Sequence, residues 1–207
     1  MSAERRILAF DWLTADGYFA APDGSLSWVV PDDEQAKAAA IGMRAADTVL
    51  FGRRTYEIFE GFWRNALTDA STAPDPHRPG LRSREHRVIA VWLNDATKFV
   101  FSRTLPDVTW RNARLSHELD LAEIAAMKRQ PGKHMMILGS GSIVSQLTRH
   151  GLIDEFQFVV CPVFLGEGRR LLEGLPRSVR LALLEATKYQ SGDVLLRYTS
   201  QRRGDSM

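Results

Sequence analysis

Residues 134–147 read HMMILGSGSIVSQL, and the pattern of side chains changes in the middle of this stretch. Residues 134–138 form an apolar run with the length and composition of a buried strand, and residues 142–150 repeat apolar side chains at helical spacing. A strand that passes through glycines directly into a helix is typical of α/β proteins, and its backbone amides can approach an anion. The simpler alternative is a tight turn in which Ser142 caps the helix. The glycine turn by itself does not distinguish an anion site from a simple capped turn.

Strands and helices alternate on both sides of this segment. We predict strands at residues 6–13, 48–51, 98–101, 108–110, 134–138 and 154–160, and helices at residues 31–45, 53–59, 119–129 and 142–150. Residues 14–27 and 68–79, which are rich in Gly, Asp and Pro, are predicted loops. Residues 180–189 and 194–200 are predicted to form an antiparallel hairpin. This order predicts an α/β fold with a mostly parallel central sheet, an antiparallel C-terminal hairpin and helices on both faces.

Length and composition predict one domain over residues 1–207, ordered from about 5 to 200. The net charge of +2 results from 27 basic and 25 acidic side chains, a balance that argues against a nucleic-acid partner. No apolar run has the length of a membrane span, and we expect no signal peptide. The single cysteine, Cys161, suits a reducing compartment, so we expect a cytoplasmic protein. The five histidines lack metal-ligand spacing, and we expect no metal site.

Three predicted strands end in residues that suit a bound anion. The second strand is followed by Gly52-Arg53-Arg54-Thr55, the third by Ser102-Arg103, and the fifth by the glycine turn. Two arginines at a helix N-terminus oppose the helix dipole unless an anion binds there, and guanidinium groups clasp phosphate well. The alternative is a solvated basic patch. Because the carboxyl ends of parallel strands share one edge of a sheet, the three ends together outline a site for a polyanionic nucleotide.

These segments resemble a known family. VLFGRRTYE, TKFVFSRTLPDVTW and MMILGSGSIVSQL resemble, in this order, the cofactor-gripping segments of dihydrofolate reductases. FDWLTADGYFAAPDGSLSW and HGLIDEFQFVVCPVFLGEG look more like the C-terminal reductase domain of the bacterial riboflavin deaminase-reductase and its stand-alone relatives. The resemblance spans about residues 6–198. It implies a dihydrofolate-reductase-like fold, NADPH as the cofactor and a small pterin-like or pyrimidine-like substrate.

The resemblance also implies a role for individual residues. Arg53, Arg54 and Thr55, which follow Gly52, match positions at the adenosine 2′-phosphate and the pyrophosphate. Ser102 and Arg103 match the adenosine end of the cofactor site. The pyrophosphate turn corresponds to Gly139, Ser140, Gly141, Ser142 and Ile143. The loop whose backbone contacts the nicotinamide corresponds to Thr14, Phe19 and Ala20.

The substrate side is less well defined by the resemblance. Asp33 falls at the position of the carboxylate that binds and helps to protonate pterins, and its spacing to Ala36, Ala40 and Met43 predicts a place on the buried helix face. Asp32, four residues before Ala36, also fits this face, so the spacing does not exclude it. The alternative is that Asp32, Asp33 and Glu34 are solvated acids of the first helical turn. Trp28 is a candidate wall for a planar substrate. The riboflavin reductases have an acid where this chain has Leu138, and a glycine where it has Ser140.

We therefore predict an NADPH-dependent reductase of a small heterocycle, resembling the 5-amino-6-(5-phosphoribosylamino)uracil reductase of riboflavin biosynthesis. Two alternatives remain: dihydrofolate reductase activity proper, and a nucleotide-binding protein of the same fold that has lost catalysis. The riboflavin reductases associate through the hairpin near their C-terminus. The corresponding hairpin of this chain, residues 180–200, has an open edge with apolar side chains, so we also expect a homodimer.

Overall fold

The computed structural model describes residues 4–30, 32–68 and 84–200. These residues form ten strands: β1 Ile7–Thr14, β2 Tyr18–Ala20, β3 Ala46–Gly52, β4 Thr97–Phe101, β5 Ala113–Ser116, β6 His134–Leu138, β7 Glu155–Cys161, β8 Arg169–Arg170, β9 Leu181–Lys188 and β10 Val194–Ser200. The same residues form five helices: α1 Asp33–Met43, α2 Arg53–Trp63, α3 Arg84–Asp95, α4 Leu121–Lys128 and α5 Gly141–Arg149. No helix in these ranges is long and apolar enough to cross a membrane.

Eight strands form one sheet in the order β5-β4-β3-β6-β1-β7-β10-β9. Neighbours from β5 to β7 pair in parallel, whereas β10 pairs antiparallel with both β7 and β9. The predicted sheet is therefore confirmed. Because β1, β3, β4 and β6 run parallel to one another, their carboxyl ends lie along one edge of the sheet.

Helices cover both faces of the sheet, as predicted. Ile7 and Ala9 face a core that includes Ile124 of α4 and Val144 and Leu147 of α5. Leu8, on the opposite side of the same strand, faces a second core formed with α1, α2 and α3. Because successive side chains of a strand point to opposite faces, β1 contributes to both cores and is apolar over most of its length.

Three features differ from the sequence prediction. Part of the predicted loop at residues 14–27 forms β2, which pairs antiparallel with β8 in a second, two-stranded sheet. The strand predicted at residues 108–110 is wrong: the Thr109 and Trp110 amides donate to the Tyr56 hydroxyl, each at 3.2 Å, and the strand is β5 instead. Helix α3 was not predicted. Its end is held by Lys98, whose buried amine donates to the carbonyls of Leu93 and Ala96, both at 2.7 Å. Most of the predicted loop at residues 68–79 lies outside the described residues.

Candidate nucleotide-binding site

Three strand ends meet at Gly52. This residue ends β3, is the register partner of Phe101 at the end of β4, and donates its N–H to Ser140 Oγ at 3.1 Å. Ser140 lies just after β6, the other neighbour of β3. The structure therefore brings together the three segments that the sequence singled out for an anion, because parallel pairing places their ends at one edge.

Two helices begin at this point without a side-chain cap. Helix α2 begins after Gly52 and helix α5 after Ser140, and neither has a capping hydrogen bond or an acid in its first turn. Helices α1 and α4, by contrast, are capped by the carboxylates of Asp32 and Asp120. First-turn amides have no acceptor within their own helix, so this edge presents two positive helix ends that the chain does not neutralise.

Ser142 does not cap α5, so the alternative of a helix capped by this serine does not hold. Ser140 holds the N-cap position, but its hydroxyl accepts from Gly52 instead of from the helix. Ser142 is exposed, and its hydroxyl would lie 3.3 Å from a Cβ on Gly52. The turn also needs glycine at Gly139, where φ is +60°. Small residues thus allow the two helix ends to lie close together and leave their backbone amides accessible.

Cationic side chains surround these helix ends. Arg53 and Arg54 in α2 and Arg103 after β4 are all exposed. Arg53 makes a 3.7 Å contact with Glu57 of its own helix. Within the described ranges, Arg54 and Arg103 have no acidic partner. Thr55 donates its hydroxyl to the Gly139 carbonyl at 3.2 Å and joins the start of α2 to the glycine turn. The arrangement suits phosphate binding, because charge and backbone donors converge.

A cleft of about 450 Å³ opens on the α5 side of this edge. Its walls include four residues predicted for the adenosine end and the pyrophosphate turn: Ser102, Arg103, Ser142 and Ile143. Four further residues line it that the sequence did not indicate, namely His117, Glu118, Leu119 and Gln146. Of these four, Gln146 could have been found from the sequence, because it lies one helical turn after Ser142. His117 joins the cleft because β5 ends beside β4, and the predicted position of that strand was wrong.

The loop after β1 reaches the same turn through Phe19. A Cβ on Gly141 would lie 2.6 Å from the ring of Phe19, so the ring packs directly on the glycine. Thr14 is buried, and its hydroxyl donates to Asp16 at 2.5 Å and accepts from the Tyr18 amide, which closes the turn into β2. Ala20 is also buried and pairs with Arg169 of β8. Of the three residues predicted for the nicotinamide loop, Phe19 therefore contacts the start of α5, and Thr14 and Ala20 anchor the segment on either side of it.

The structure does not support the catalytic role predicted for Asp33. Asp33 is exposed, and the buried side chains of α1 are Gln35, Ala40 and Met43. Ala40 and Met43 are buried as predicted, but the buried face of the first turn is at Gln35, and adjacent helical residues point about 100° apart, so Asp33 faces solvent. Asp32 is the N-cap and also accepts from the Ser191 amide at 2.9 Å. Burial opposes its ionisation, but backbone hydrogen bonds from Ser191, Gln35 and Glu34 outweigh burial and lower the pKa of Asp32.

A buried amide takes the place expected for the acid on α1. Gln35 accepts from the Trp12 indole at 3.3 Å and donates to Asp193 at 3.2 Å. Trp28, predicted to wall the substrate, is half-buried, and its indole Nε1 is buried without a hydrogen-bond partner among the described residues.

Cys161 is a core residue and not a nucleophile. Burial and the neighbouring Asp193 raise the pKa of its thiol to about 12.

One acid with unusual surroundings was missed. Asp11 in the middle of β1 is 1% exposed, and neither carboxylate oxygen has a hydrogen-bond partner within the described part of the chain. Burial raises its pKa to about 7. The signal was present in the sequence, since Asp11 interrupts the apolar stretch RILAFDWL. Asp11 follows Phe10, whose carbonyl accepts from the Gly139 amide at 3.1 Å, so it lies beside the glycine turn. Among the described residues, no three His, Cys, Asp or Glu side chains are placed to hold a metal ion.

Strand order and the antiparallel hairpin define an α/β fold of the dihydrofolate-reductase type, and known proteins share it. A solved structure from Shewanella sp. PV-4, provisionally named a riboflavin biosynthesis protein, has a TM-score of 0.70 at 20% identity and covers 95% of this chain and 99% of its own. The Thermotoga maritima diaminohydroxyphosphoribosylaminopyrimidine deaminase/5-amino-6-(5-phosphoribosylamino)uracil reductase has a TM-score of 0.60 at 13% identity. It covers 96% of this chain, which matches 57% of that longer protein.

The chain belongs to the RibD C-terminal domain family, whose pattern it matches over residues 6–195. It is also 25% identical to the uncharacterized protein YyaP of Bacillus subtilis (strain 168) over 195 residues, which is 94% of this chain and 95% of that protein. Membership in this family supports an oxidoreductase of the riboflavin-biosynthesis type. Reductase domains of the family are in general NADPH-dependent.

Proposed function

We propose that this protein is an NADPH-dependent reductase that transfers a hydride to a small pyrimidine-like or pterin-like heterocycle. One observation carries the proposal: two uncapped helix N-termini and the arginines Arg53, Arg54 and Arg103 lie at one edge of the sheet, around the hydrogen bond from Gly52 to Ser140. The resemblance to the 5-amino-6-(5-phosphoribosylamino)uracil reductases supports a heterocyclic substrate, but this chain lacks their acid at Leu138.

The residues at this edge fit the cofactor. Close approach of a pyrophosphate requires bare backbone, and a Cβ on Gly52 would already crowd Ser142. The arginines offer charge-assisted hydrogen bonds to a 2′-phosphate, and the cleft lined by Ser102 and Gln146 offers room for the adenosine. NADPH supplies the hydride when it is bound. The chain binds and orients it, with the loop of Thr14, Phe19 and Ala20 packed over the start of α5.

Cofactor preference tests the proposal directly. We expect purified protein to bind NADPH at least tenfold more tightly than NADH, measured by the change in dihydronicotinamide fluorescence, because a charge-assisted phosphate contact contributes about 1.5–3 kcal/mol. Arg53→Ala and Arg54→Ala should each weaken NADPH binding about tenfold and leave NADH binding nearly unchanged. Arg87→Ala, an exposed arginine of α3, is the matched control and should change neither affinity. Equal affinities for NADPH and NADH in the unaltered protein would refute the proposed preference.

Substrate screening separates the proposed activity from the alternatives. NADPH oxidation with pyrimidinones or dihydropterins, followed at 340 nm, is the expected result. Oxidation with dihydrofolate as the best substrate would favour dihydrofolate reductase activity proper. Tight NADPH binding without oxidation across the whole panel would favour a nucleotide-binding protein that has lost catalysis.

A cytoplasmic location remains part of the proposal and depends on the lone cysteine, which suits a reducing compartment.

A further inference from the structure

His117 stands in the proposed cofactor cleft without a role in the proposed function. It follows β5 and lines the cleft together with Ser102 and Arg103 from the end of β4. The neighbouring wall consists of Ser142 and Gln146 of α5, whose N-terminus is uncapped. The imidazole is exposed to solvent, so it can exchange protons freely. Histidine is the side chain that ordinarily changes its charge between pH 5 and 8.

The orientation of the ring determines which nitrogen can respond. His117 Nδ1 lies 3.0 Å from the Ser102 carbonyl oxygen, which only accepts hydrogen bonds. Nδ1 must therefore carry a proton, and the neutral ring is the Nδ1–H tautomer. Nε2 is then an acceptor when the ring is neutral and a donor with positive charge when the ring is protonated. Only the protonated ring attracts a phosphate oxygen, so the contact depends on pH.

The charged residues around the ring are of both signs. Arg103 lines the cleft, and so does Glu118, which follows His117. The α5 wall contributes the neutral side chains Ser142 and Gln146. At the base of the following helix, Asp120 is occupied as the cap of α4. A bound dianionic phosphate draws a proton onto Nε2.

We infer that His117 is a protonation-dependent contact for the phosphate on the adenosine ribose, so that this site distinguishes phosphorylated from unphosphorylated nucleotides more strongly at pH 6 than at pH 8. The inference rests on the proposed function, because it assigns the cleft to the adenosine end of the cofactor. It adds a specificity-determining residue and a pH dependence to that site. By linkage, binding of the phosphate should be accompanied by uptake of a proton near neutral pH.

Adenosine 2′,5′-bisphosphate and AMP are the probes, since both are stable over the pH range and differ only in the phosphate on the ribose 2′ oxygen. We expect the ratio of their affinities, measured by calorimetry at pH 6.0, 7.0 and 8.0, to fall about five- to tenfold from pH 6 to pH 8. In His117→Gln, only the titration of the phosphate itself should still change the affinity ratio with pH. His117→Lys should hold the ratio high at pH 8. His150→Gln, an exposed histidine at the far end of α5, is the matched control and should behave like the unaltered protein.

A direct readout follows the ring itself. In proton NMR spectra recorded across the pH range, the His117 ring should stay protonated to higher pH with the bisphosphate bound than with AMP bound. If the bisphosphate and NADPH bind at no pH, the proposed function fails and this inference fails with it. If both bind, but the pH dependence is the same in the unaltered protein and His117→Gln, the inference about His117 is overturned while the proposed function stands.

Discussion

The amide of Gly52 donates a hydrogen bond of 3.1 Å to the hydroxyl of Ser140, and this bond joins the start of α2 to the start of α5. Both residues are buried. Ser140 stands at an N-cap position, where serine commonly bonds to its own helix, but here the hydroxyl is used across the site. The first-turn amides of α5 therefore stay available to a ligand. One serine keeps two helix ends at a fixed separation and leaves both uncapped.

Replacement of Ser140 by alanine should affect stability and cofactor binding together. The Gly52 amide would lose its acceptor in a buried position, which costs about 1–3 kcal/mol of the free energy of unfolding. We expect NADPH affinity to fall as well, because the two helix ends lose their link. Urea unfolding and fluorescence titration measure the two effects. Ser145→Ala on the same helix is the control, and a Ser140→Ala protein as stable as Ser145→Ala would contradict the role of this bond.

The contact between Phe19 and Gly141 predicts a compensating pair of substitutions. Alanine at position 141 would place its Cβ 2.6 Å from the Phe19 ring, so the ring must move, and overpacking of this kind costs about 1–3 kcal/mol. Gly141→Ala should lose most of that penalty in a Phe19→Leu background, which a double-mutant cycle of unfolding free energies measures. Gly61→Ala in α2 is the control: nothing lies within 4 Å of its Cβ, and we expect a gain of up to about 1 kcal/mol. Additive effects of the two substitutions would show that the ring and the glycine are not coupled.

Asp11 predicts an unusual dependence of stability on pH. Its pKa is about 7 in the folded protein and 3.8 in an exposed carboxyl, so between these values the folded chain holds a proton that the unfolded chain has released. The folded state then binds more protons, and stability falls as pH rises from about 4 to 7. The total is roughly 4 kcal/mol. Asp11→Asn should therefore gain stability relative to the unaltered protein at pH 8, but not at pH 4.

Urea unfolding at several pH values measures this difference. Glu123→Gln, an exposed acid on α4, is the control and should leave the pH dependence unchanged. A constant difference between Asp11→Asn and the unaltered protein from pH 4 to pH 8 would mean that Asp11 is charged in the fold and has found a partner.

The edge strand β9 predicts self-association. Strand β9 is the last in the sheet, and Leu183 and Leu184 are 57% and 51% exposed. An open apolar edge is rarely left uncovered, and we propose that a second copy covers it in a twofold homodimer. Light scattering at micromolar concentration should give twice the mass of the 23.3 kDa chain, and Leu183→Glu should shift it toward the monomer. Ile41→Glu, equally exposed on α1, should not. A monomer in the unaltered protein would overturn the proposal.

Much of the fold could be predicted from the sequence because its signals are local. The apolar runs at residues 134–138 and 154–160 match β6 and β7 to within one residue at each end, and the glycine turn begins α5 close to the predicted position. The same locality explains two errors. Thr109 and Trp110 have the composition of a strand, but the Tyr56 hydroxyl takes their amides. Helix α3 was missed because it follows a stretch rich in proline, although the buried residues Ile89 and Leu93 have helical spacing.

By itself, the sequence determined which strand ends carry the arginines and glycines of the site, because those residues follow directly on strongly apolar strands. Only the tertiary structure decided which side chains complete it. His117 enters the cleft because β5 pairs in parallel with β4, and the buried face of α1 begins at Gln35, not Asp33. A shift of one or two residues turns a helical side chain by 100° or more. That phase is set by packing against the sheet, which short-range sequence patterns do not encode.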